Sequence, residues 1–180
     1  MTIVRRVIGP ETALMGGLSR LLIDSVQGGA SVGFLAPVDP STAIRYWEGV
    51  VSSLGPGLAL WIALHHGEVV GSVQLSLCQK ENGLHRAEVQ KLLVLSAFRG
   101  RGIASRLMAE IESFSRLQGR TLLVLDTQAG SDAETVYRHF DWQRLGEIPG
   151  YAKSPDGALH ATAYYFKQLQ PLRKGGLPEG

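Results

Sequence analysis

The sequence has a single cysteine, Cys78, and no long hydrophobic run. One cysteine cannot form a disulfide within the chain or supply a cysteine-based zinc site. The longest apolar run, residues 58–64, has seven residues, whereas a bilayer-spanning helix needs about 20. The first six residues lack the apolar stretch of a secretion signal. These features predict a cytoplasmic protein with no membrane attachment and no bound metal.

An excess of basic residues is also missing. The 180 residues include 18 Lys and Arg against 16 Asp and Glu, a formal net charge of +2. Nucleic-acid binding depends on a strong basic field, so we expect no nucleic-acid partner. His65 and His66 do not indicate a metal pair, because adjacent residues of a strand point to opposite faces. A solvated turn is expected there instead.

The chain is long enough for one domain with a substantial core and too short for two. We predict one domain over residues 1–170 and a tail rich in proline and glycine, residues 171–180, that frays. Hydrophobic periodicity and turn residues predict the elements between. Helices are expected at 11–26, 39–53 and 101–117, with a fourth capped by Ser131 and Glu134, and strands at 58–64, 68–77, 85–95, 121–125, 142–148 and 159–167.

The order of these elements predicts an α/β fold with one mixed (α+β) sheet. A hairpin turning at residues 66–67 comes first, and a single strand–helix–strand unit follows over residues 88–125. Such a crossover joins two parallel strands. We therefore expect a mostly antiparallel sheet with one central parallel pair and helices on both faces.

Glycine is abundant, with 22 residues, and the segment Arg99-Gly100-Arg101-Gly102-Ile103-Ala104 lies where a strand meets a helix. Unpaired backbone N–H groups and the positive end of the helix dipole face outward at such a junction. Small residues let a phosphate approach the backbone, and two arginines add charge. The segment predicts a pyrophosphate site, although an ordinary helix start with a tight turn would look similar.

Two kinds of nucleotide would suit this segment. Gly100-x-Gly102-x-x-Ser105 nearly matches a dinucleotide fingerprint, with Asp126 at the end of the next strand for a ribose contact. However, the third glycine is missing, four residues separate Leu95 from Gly100, and the chain lacks further βαβ units. The alternative is coenzyme A, which the sequence favours.

Arg99-x-x-Gly102-x-Ala104 fits the pattern Gln/Arg-x-x-Gly-x-Gly/Ala of the GNAT superfamily of acetyl-CoA-dependent acyltransferases. The chain also resembles the tabtoxin-resistance acetyltransferases of that superfamily. The likeness is carried by residues 28–34 (GGASVGF), 74–95 (QLSLCQKENGLHRAEVQKLLVL), 99–102, 125–137 (LDTQAGSDAETVY), 146–151 (GEIPGY) and 155–167 (PDGALHATAYYFK).

The resemblance implies a GNAT-like fold and acetyl transfer from acetyl-CoA to a small molecule, a β-lactam amino-acid toxin. It implies that Glu88, Asp126 and Tyr137 take part in the chemistry. The cofactor-binding residues would be Leu93, Val94, Arg99, Gly100, Arg101, Gly102, Ile103 and Ala104. Acetyl-CoA would be the only cofactor and the enzyme a monomer or a homodimer. A protein or peptide amine as acceptor, and a non-catalytic acyl-CoA-binding protein, are the alternatives.

The residue types suit this chemistry. Glu88 and Asp126 end up on neighbouring parallel strands and could remove a proton from an acceptor ammonium. Tyr137 could protonate the departing thiolate, and a backbone N–H near Val94 could stabilise charge on the carbonyl oxygen. The structural alternatives pair Glu88 with Arg86 or Lys91, use Asp126 to cap a loop through Thr127, and bury Tyr137 as a core aromatic.

Cys78 has no evident base partner, so direct transfer without a covalent acyl-enzyme is expected. Two turns carry further expectations. Asp141 stands where the superfamily commonly has a glycine, and we expect it to adopt a left-handed backbone conformation. Residues 28–34 form either a flexible flap over the acceptor or a glycine helix stop.

Overall fold

In a computed structural model of the protein, which describes residues 1–171, seven strands form one sheet in the order β1-β2-β3-β4-β5-β7-β6. Residues 172–180, most of the tail predicted to fray, lie outside the described range. The strands are β1 (Thr2–Val7), β2 (Leu58–His65), β3 (Glu68–Leu77), β4 (Arg86–Val94), β5 (Leu122–Gln128), β6 (Gln143–Lys153) and β7 (Leu159–Gln168). The helices are α1 (Met15–Gln27), α2 (Pro40–Ser52), α3 (Ile103–Leu117) and α4 (Asp132–His139).

The topology confirms the predicted fold class. Within residues 1–171, β4 pairs with β5 in parallel and the other strand pairs are antiparallel. Residues 59–63 of β2 are all buried, and successive side chains of a strand alternate between faces. The sheet is therefore covered on both faces, as predicted.

The hairpin between β2 and β3 turns at His66 and Gly67, which have φ values of +49° and +84°. Two consecutive residues with positive φ are typical of the two-residue turn that joins antiparallel strands. The predicted hairpin is confirmed. The turn expected at the two histidines includes only His66, because His65 is the half-buried last residue of β2 and its ring is hydrogen-bonded to the Thr2 hydroxyl.

Strand β1 was not expected from the sequence. Its residues alternate poorly between apolar and polar, and Ile3 is exposed while Val7 is buried. Backbone pairing with β2 creates the strand. The Arg6 guanidinium adds a contact, lying 4.5 Å from the ring centre of Phe114 on α3.

Two predicted helix starts need correction. The first helix begins as a 3-10 turn at Thr12–Leu14, and α1 follows at Met15. Helix α3 begins at Ile103 rather than 101, because Gly100 and Gly102 adopt φ values of +72° and +73°, which a helix cannot contain.

Before α4, Ser131 occupies the N-cap position, but the predicted capping box does not form. The Ser131 hydroxyl donates to the Gln128 carbonyl oxygen at 2.7 Å instead. The Glu134 carboxylate accepts a hydrogen bond from the Gly130 N–H at 2.7 Å. The Glu134 carboxylate thus binds the N–H of Gly130, the residue before the N-cap, rather than the N–H of Ser131 at the N-cap.

Close packing at Gly71 sets the position of α3 against the sheet. A Cβ atom at Gly71 would lie 3.0 Å from Ile103 Cγ2 and 3.1 Å from the Leu93 carbonyl oxygen. On the other side of the same junction, the Asp24 carboxylate of α1 accepts hydrogen bonds from the N–H and hydroxyl of Ser96 at 2.8 and 2.7 Å. These contacts hold the end of β4 and the start of α3 in place.

We expect Gly71→Ala to lower the free energy of unfolding by about 1–3 kcal/mol, because its methyl group forces α3 away from β3. Urea denaturation measures the change. Gly49→Ala is the matched control: Gly49 is exposed inside α2 with nothing within 4 Å of an added Cβ, and this change should raise stability by about 0.5–1 kcal/mol. Equal or greater stability of the Gly71 variant would contradict the packing described here.

Candidate active site

The parallel strands β4 and β5 separate in the middle of the sheet. Their paired residues are Arg86 with Leu122, Ala87 with Leu123 and Glu88 with Val124. Beyond Glu88, β4 stays paired with β3 as far as Val94, and β5 stays paired with β7 as far as Gln128. The strands therefore open a cleft between their carboxyl ends.

A bulge in β4 accompanies this separation. Ser72 pairs with Leu93 and Gln74 with Gln90, so residues 91 and 92 stand opposite Val73 alone. Lys91 has a φ of +51°, a conformation that costs a non-glycine residue about 1–3 kcal/mol and is found mostly at functional sites. Bulges bend a strand and redirect its side chains.

Glu88 and Asp126 lie on one face of the sheet, where the two strands begin to separate. Glu88 pairs with Val124, and Asp126, two residues further on, points to the same face as Val124. Gln90 Nε2 donates to Glu88 Oε1 at 2.9 Å. Among the described residues, no ion pair joins Glu88 to Arg86 or Lys91 and no hydrogen bond joins Asp126 to the Thr127 side chain. The structure brings the two carboxylates together without those structural partners.

The pKa of Asp126 is raised from its ordinary value. Loss of hydration within the cleft is the main cause and the negative charge of Glu88 adds to it, while the Lys91 ammonium acts in the opposite direction. The side chain still reaches solvent through the open mouth of the cleft. A carboxylate in this position can accept a proton more readily than an ordinary aspartate.

Tyr137 lies on α4, with its ring in the core and its hydroxyl free. The ring centre is 6.1 Å from that of Trp142 and 6.0 Å from that of Tyr165. Its hydroxyl makes no hydrogen bond to any residue in the range 1–171. Burial and the charge of Asp126 raise the pKa of Tyr137. The ring therefore packs in the core as the structural alternative expects, and the hydroxyl stays protonated and available.

Glu134, which sequence reasoning used only as a cap, anchors α4 and hence Tyr137. Its buried carboxylate accepts hydrogen bonds from the Tyr165 hydroxyl, the Gly130 N–H and Arg144 Nε. Burial alone would raise the pKa of Glu134, but these hydrogen bonds outweigh it and lower the pKa. Asp141, just after this helix, has the expected left-handed conformation with a φ of +60°.

The segment of residues 99–104 joins β4 to α3 as an open turn. No atom lies within 4 Å of an added Cβ at Gly100 or Gly102. Arg99 Nε donates to the Val94 carbonyl oxygen at 3.4 Å, and Arg101 lies over the Phe98 ring at 4.9 Å. The first N–H groups of α3 have no partner within the helix. The turn therefore presents backbone donors, two glycines and two guanidinium groups, the donor set that a pyrophosphate needs.

The other predicted cofactor residues would have to act through their backbone. The side chains of Leu93 and Ile103 are buried in the core, and that of Ala104 is small and half-buried. The Leu95 N–H donates to the Val70 carbonyl oxygen on β3. Because adjacent residues of a strand direct their N–H groups to opposite sides, the Val94 N–H points into the cleft.

The loop after α1 begins with one of the two structures expected for residues 28–34. Gly29, with a φ of +88°, ends the helix, and the Ala30 N–H donates to the Ser25 carbonyl oxygen at 3.0 Å. This is a glycine helix stop, and a flap over the acceptor stays a prediction. Further along, the Ala36 N–H donates to the Pro155 carbonyl oxygen at 2.9 Å. The loop borders a cavity of about 290 Å³ that is lined by Ser31, Gly33, Phe34, Leu35, Ala152 and Lys153.

Sequence reasoning treated Lys91 only as an ion-pair partner of Glu88 and missed its place in the cleft. It also missed Tyr46, whose ring meets Phe34 edge-on at 5.3 Å and whose hydroxyl accepts a hydrogen bond from Gln74 at 2.9 Å. A lysine directly before the apolar end of a strand, QKLLV, is the signal that could have identified Lys91. No sequence signal marks Tyr46.

Residues 1–171 contain neither a metal-binding cluster nor a membrane-spanning helix. No group of three or more His, Cys, Asp or Glu side chains in this range is arranged to hold a metal ion. None of its helices has the length and apolar character that crossing a bilayer requires.

Known proteins share this architecture. An N-acetyltransferase from Staphylococcus aureus Mu50 superposes with a TM-score of 0.77 at 17% identity, covering 94% of this chain and 99% of that one. The protein yncA from Salmonella typhimurium, solved with its cofactor acetyl-CoA, superposes with a TM-score of 0.73 at 14% identity, covering 99% and 98%. At these identities the likeness establishes the fold alone.

Sequence comparison establishes the family. The N-acetylaspartate synthetase of Danio rerio is 32% identical over 105 residues, which cover 55% of this chain and 36% of that protein. The chain thus spans little more than a third of that relative. The sequence profile of the Acetyltransferase (GNAT) family matches residues 32–142, more than half of the chain. The chain belongs to the Acetyltransferase (GNAT) family.

Proposed function

We propose that this protein transfers the acetyl group of acetyl-CoA directly to the amine of a small molecule. The separation of β4 and β5 carries the proposal. It opens a cleft that has a phosphate-binding turn at one end, at Gly100 and Gly102, and two carboxylates, Glu88 and Asp126, where the strands begin to separate. Membership of an acetyltransferase family supports the same reaction.

Acetyl-CoA would supply a thioester and a diphosphate. The backbone N–H groups of residues 100–104 would bind the diphosphate, helped by the helix dipole and by the charges of Arg99 and Arg101. The Val94 N–H, which points into the cleft, would stabilise negative charge on the thioester oxygen. Leu93 and Ile103 would support these donors from the core.

Glu88 and Asp126 would prepare the acceptor. An amine is protonated at neutral pH and cannot attack a carbonyl until it loses a proton. The raised pKa of Asp126 lets the carboxylate pair take that proton. Tyr137 would protonate the leaving thiolate, which needs only modest help if its pKa resembles the value of about 8.5 for a cysteine thiol.

The acceptor we favour is a small β-lactam amino acid, on the resemblance to tabtoxin-resistance acetyltransferases. Residues 31–36 bond to residues 153–155, and a partly open cavity of about 290 Å³ lies beside them. A cavity of that size suits a small molecule better than an extended peptide.

Calorimetry with coenzyme A and with NAD tests the nucleotide. We expect coenzyme A to bind at micromolar strength or tighter and NAD not to bind. Gly102→Ala should weaken coenzyme A binding by about tenfold or more, because its methyl group enters the phosphate-binding turn at a φ of +73°. Gly119→Ala, at a φ of +68° beyond the other end of α3, carries similar strain and should bind normally. Binding of NAD in place of coenzyme A would contradict the proposal.

Tyr137→Phe tests the proton donor. The variant keeps the ring that packs against Trp142 and Tyr165, so its urea unfolding should match that of the wild type. We expect kcat to fall by about 100-fold, the lower end of the range for a lost general acid, with the acetyl-CoA dissociation constant unchanged. A variant with wild-type kcat would remove Tyr137 from this role.

The pH dependence of kcat/KM tests the carboxylate pair. The base acts when ionised, so activity should be lost as the pH falls through the raised pKa of Asp126, above the usual range for aspartate. Asp126→Asn should abolish this limb of the profile. If both carboxylates lie on one proton path, Glu88→Gln combined with Asp126→Asn should cost less than the sum of the two single changes. Strict additivity would show that they act independently.

A further inference from the structure

Lys91 is on the same face of the sheet as the two carboxylates because of the bulge in β4. Glu88 and Gln90 share a face and are hydrogen-bonded, so in a regular strand Lys91 would point to the opposite face. Instead its ammonium nitrogen lies 5.9 Å from the ring centre of Tyr46 on α2. A Cβ atom at Gly33 would lie 4.0 Å from the same nitrogen. The bulge therefore turns this cation into the cleft.

The ammonium group of Lys91 lies near the Tyr46 ring but has no acceptor atom beside it among the described residues. The side chain is half-buried, yet Nζ forms no hydrogen bond and no ion pair with any residue in the range 1–171. Lost hydration lowers the pKa of Lys91, while the charges of Asp126 and Glu88 act against this decrease. A partly dehydrated ammonium without a hydrogen-bond acceptor is stabilised by a bound anion.

The cleft thus places one cation opposite two carboxylates. From this arrangement we propose that Lys91 binds the carboxylate of the acceptor, and that the acceptors of this enzyme are amino acids with a free carboxylate near the reacting amine. The ammonium end of such a molecule would face Glu88 and Asp126. This inference rests on the proposed function and assigns a specificity residue within it.

The charges also argue against a phosphate at Lys91. A phosphate monoester carries nearly two negative charges at neutral pH and would face Glu88 and Asp126 with a single lysine to balance it. A carboxylate carries one charge, which one ammonium group balances. Gly33, beside Lys91, leaves the space above the ammonium open, since it has no side chain and a φ of +93°.

The test compares two sets of acceptors. CoA release from acetyl-CoA is measured with the common L-amino acids and with the corresponding L-amino-acid amides, which keep the amine and lose the carboxylate charge. For the wild type, kcat/KM of the best free acid should exceed that of its amide by about 10- to 100-fold, the range for a charge-assisted hydrogen bond. This measurement needs no altered protein.

Lys91→Met should remove that preference. We expect kcat/KM for the free acid to fall by about 10- to 100-fold, mainly through KM, with little change for the amide, when both are assayed at a pH at which Asp126 is ionised in wild type and variant. Lys91→Arg keeps the charge and should keep part of the preference. The competing cation is Lys153, which lines the neighbouring cavity. Loss of the preference in Lys153→Met rather than in Lys91→Met would overturn the assignment.

Other outcomes separate this inference from the proposed function. If amines are acetylated but acids and amides react equally, or if Lys91→Met slows both alike, Lys91 does not bind a carboxylate. If acetyl-CoA binds and no amino acid is acetylated, the acceptor class is wrong. If calorimetry detects no acetyl-CoA binding, the proposed function itself fails, and the inference fails with it.

Discussion

Beyond Glu88, β4 and β5 turn away from each other while each keeps its outer partner. Backbone groups in the middle of a sheet normally pair, and an unpaired buried group costs about 1–3 kcal/mol. The Val94 N–H and the neighbouring backbone groups of β4 are freed by this opening and face the cleft. Backbone N–H groups of β4 that would pair with β5 in a continuous sheet therefore stay unpaired, and they can donate hydrogen bonds to a ligand.

Packing contacts and hydrogen bonds hold the helices around the cleft in position. Gly71 lets α3 rest on β3, and Asp24 ties α1 to the end of β4. Glu134 fixes the start of α4 through three hydrogen bonds. Strained backbone occurs next to these supports, at Lys91 and Asp141. The free energy that holds these conformations comes from the packing around the cleft, as expected for a preorganised site.

Much of this architecture could be predicted from the sequence. The single strand–helix–strand unit required a parallel pair, and the small residues between Arg99 and Ala104 indicated an open turn. Structure that depends on contacts between distant parts of the chain could not be predicted. Strand β1 forms because the edge of β2 provides backbone partners. Glu134 binds Gly130 and Tyr165 rather than the N-cap residue. The bulge at Lys91 leaves no local signal either, because lysine has no preference for positive φ.

The bulge also links recognition of the acceptor to its chemistry. In the free protein the Lys91 ammonium opposes the rise in the pKa of Asp126 that dehydration and Glu88 produce. An acceptor carboxylate bound at Lys91 would cancel that effect and so leave the pKa of Asp126 higher. Transfer of one proton to the pair relieves the repulsion between Glu88 and Asp126. A zwitterionic acceptor would therefore supply the proton from its ammonium group. Its carboxylate would make Glu88 and Asp126 better able to accept that proton.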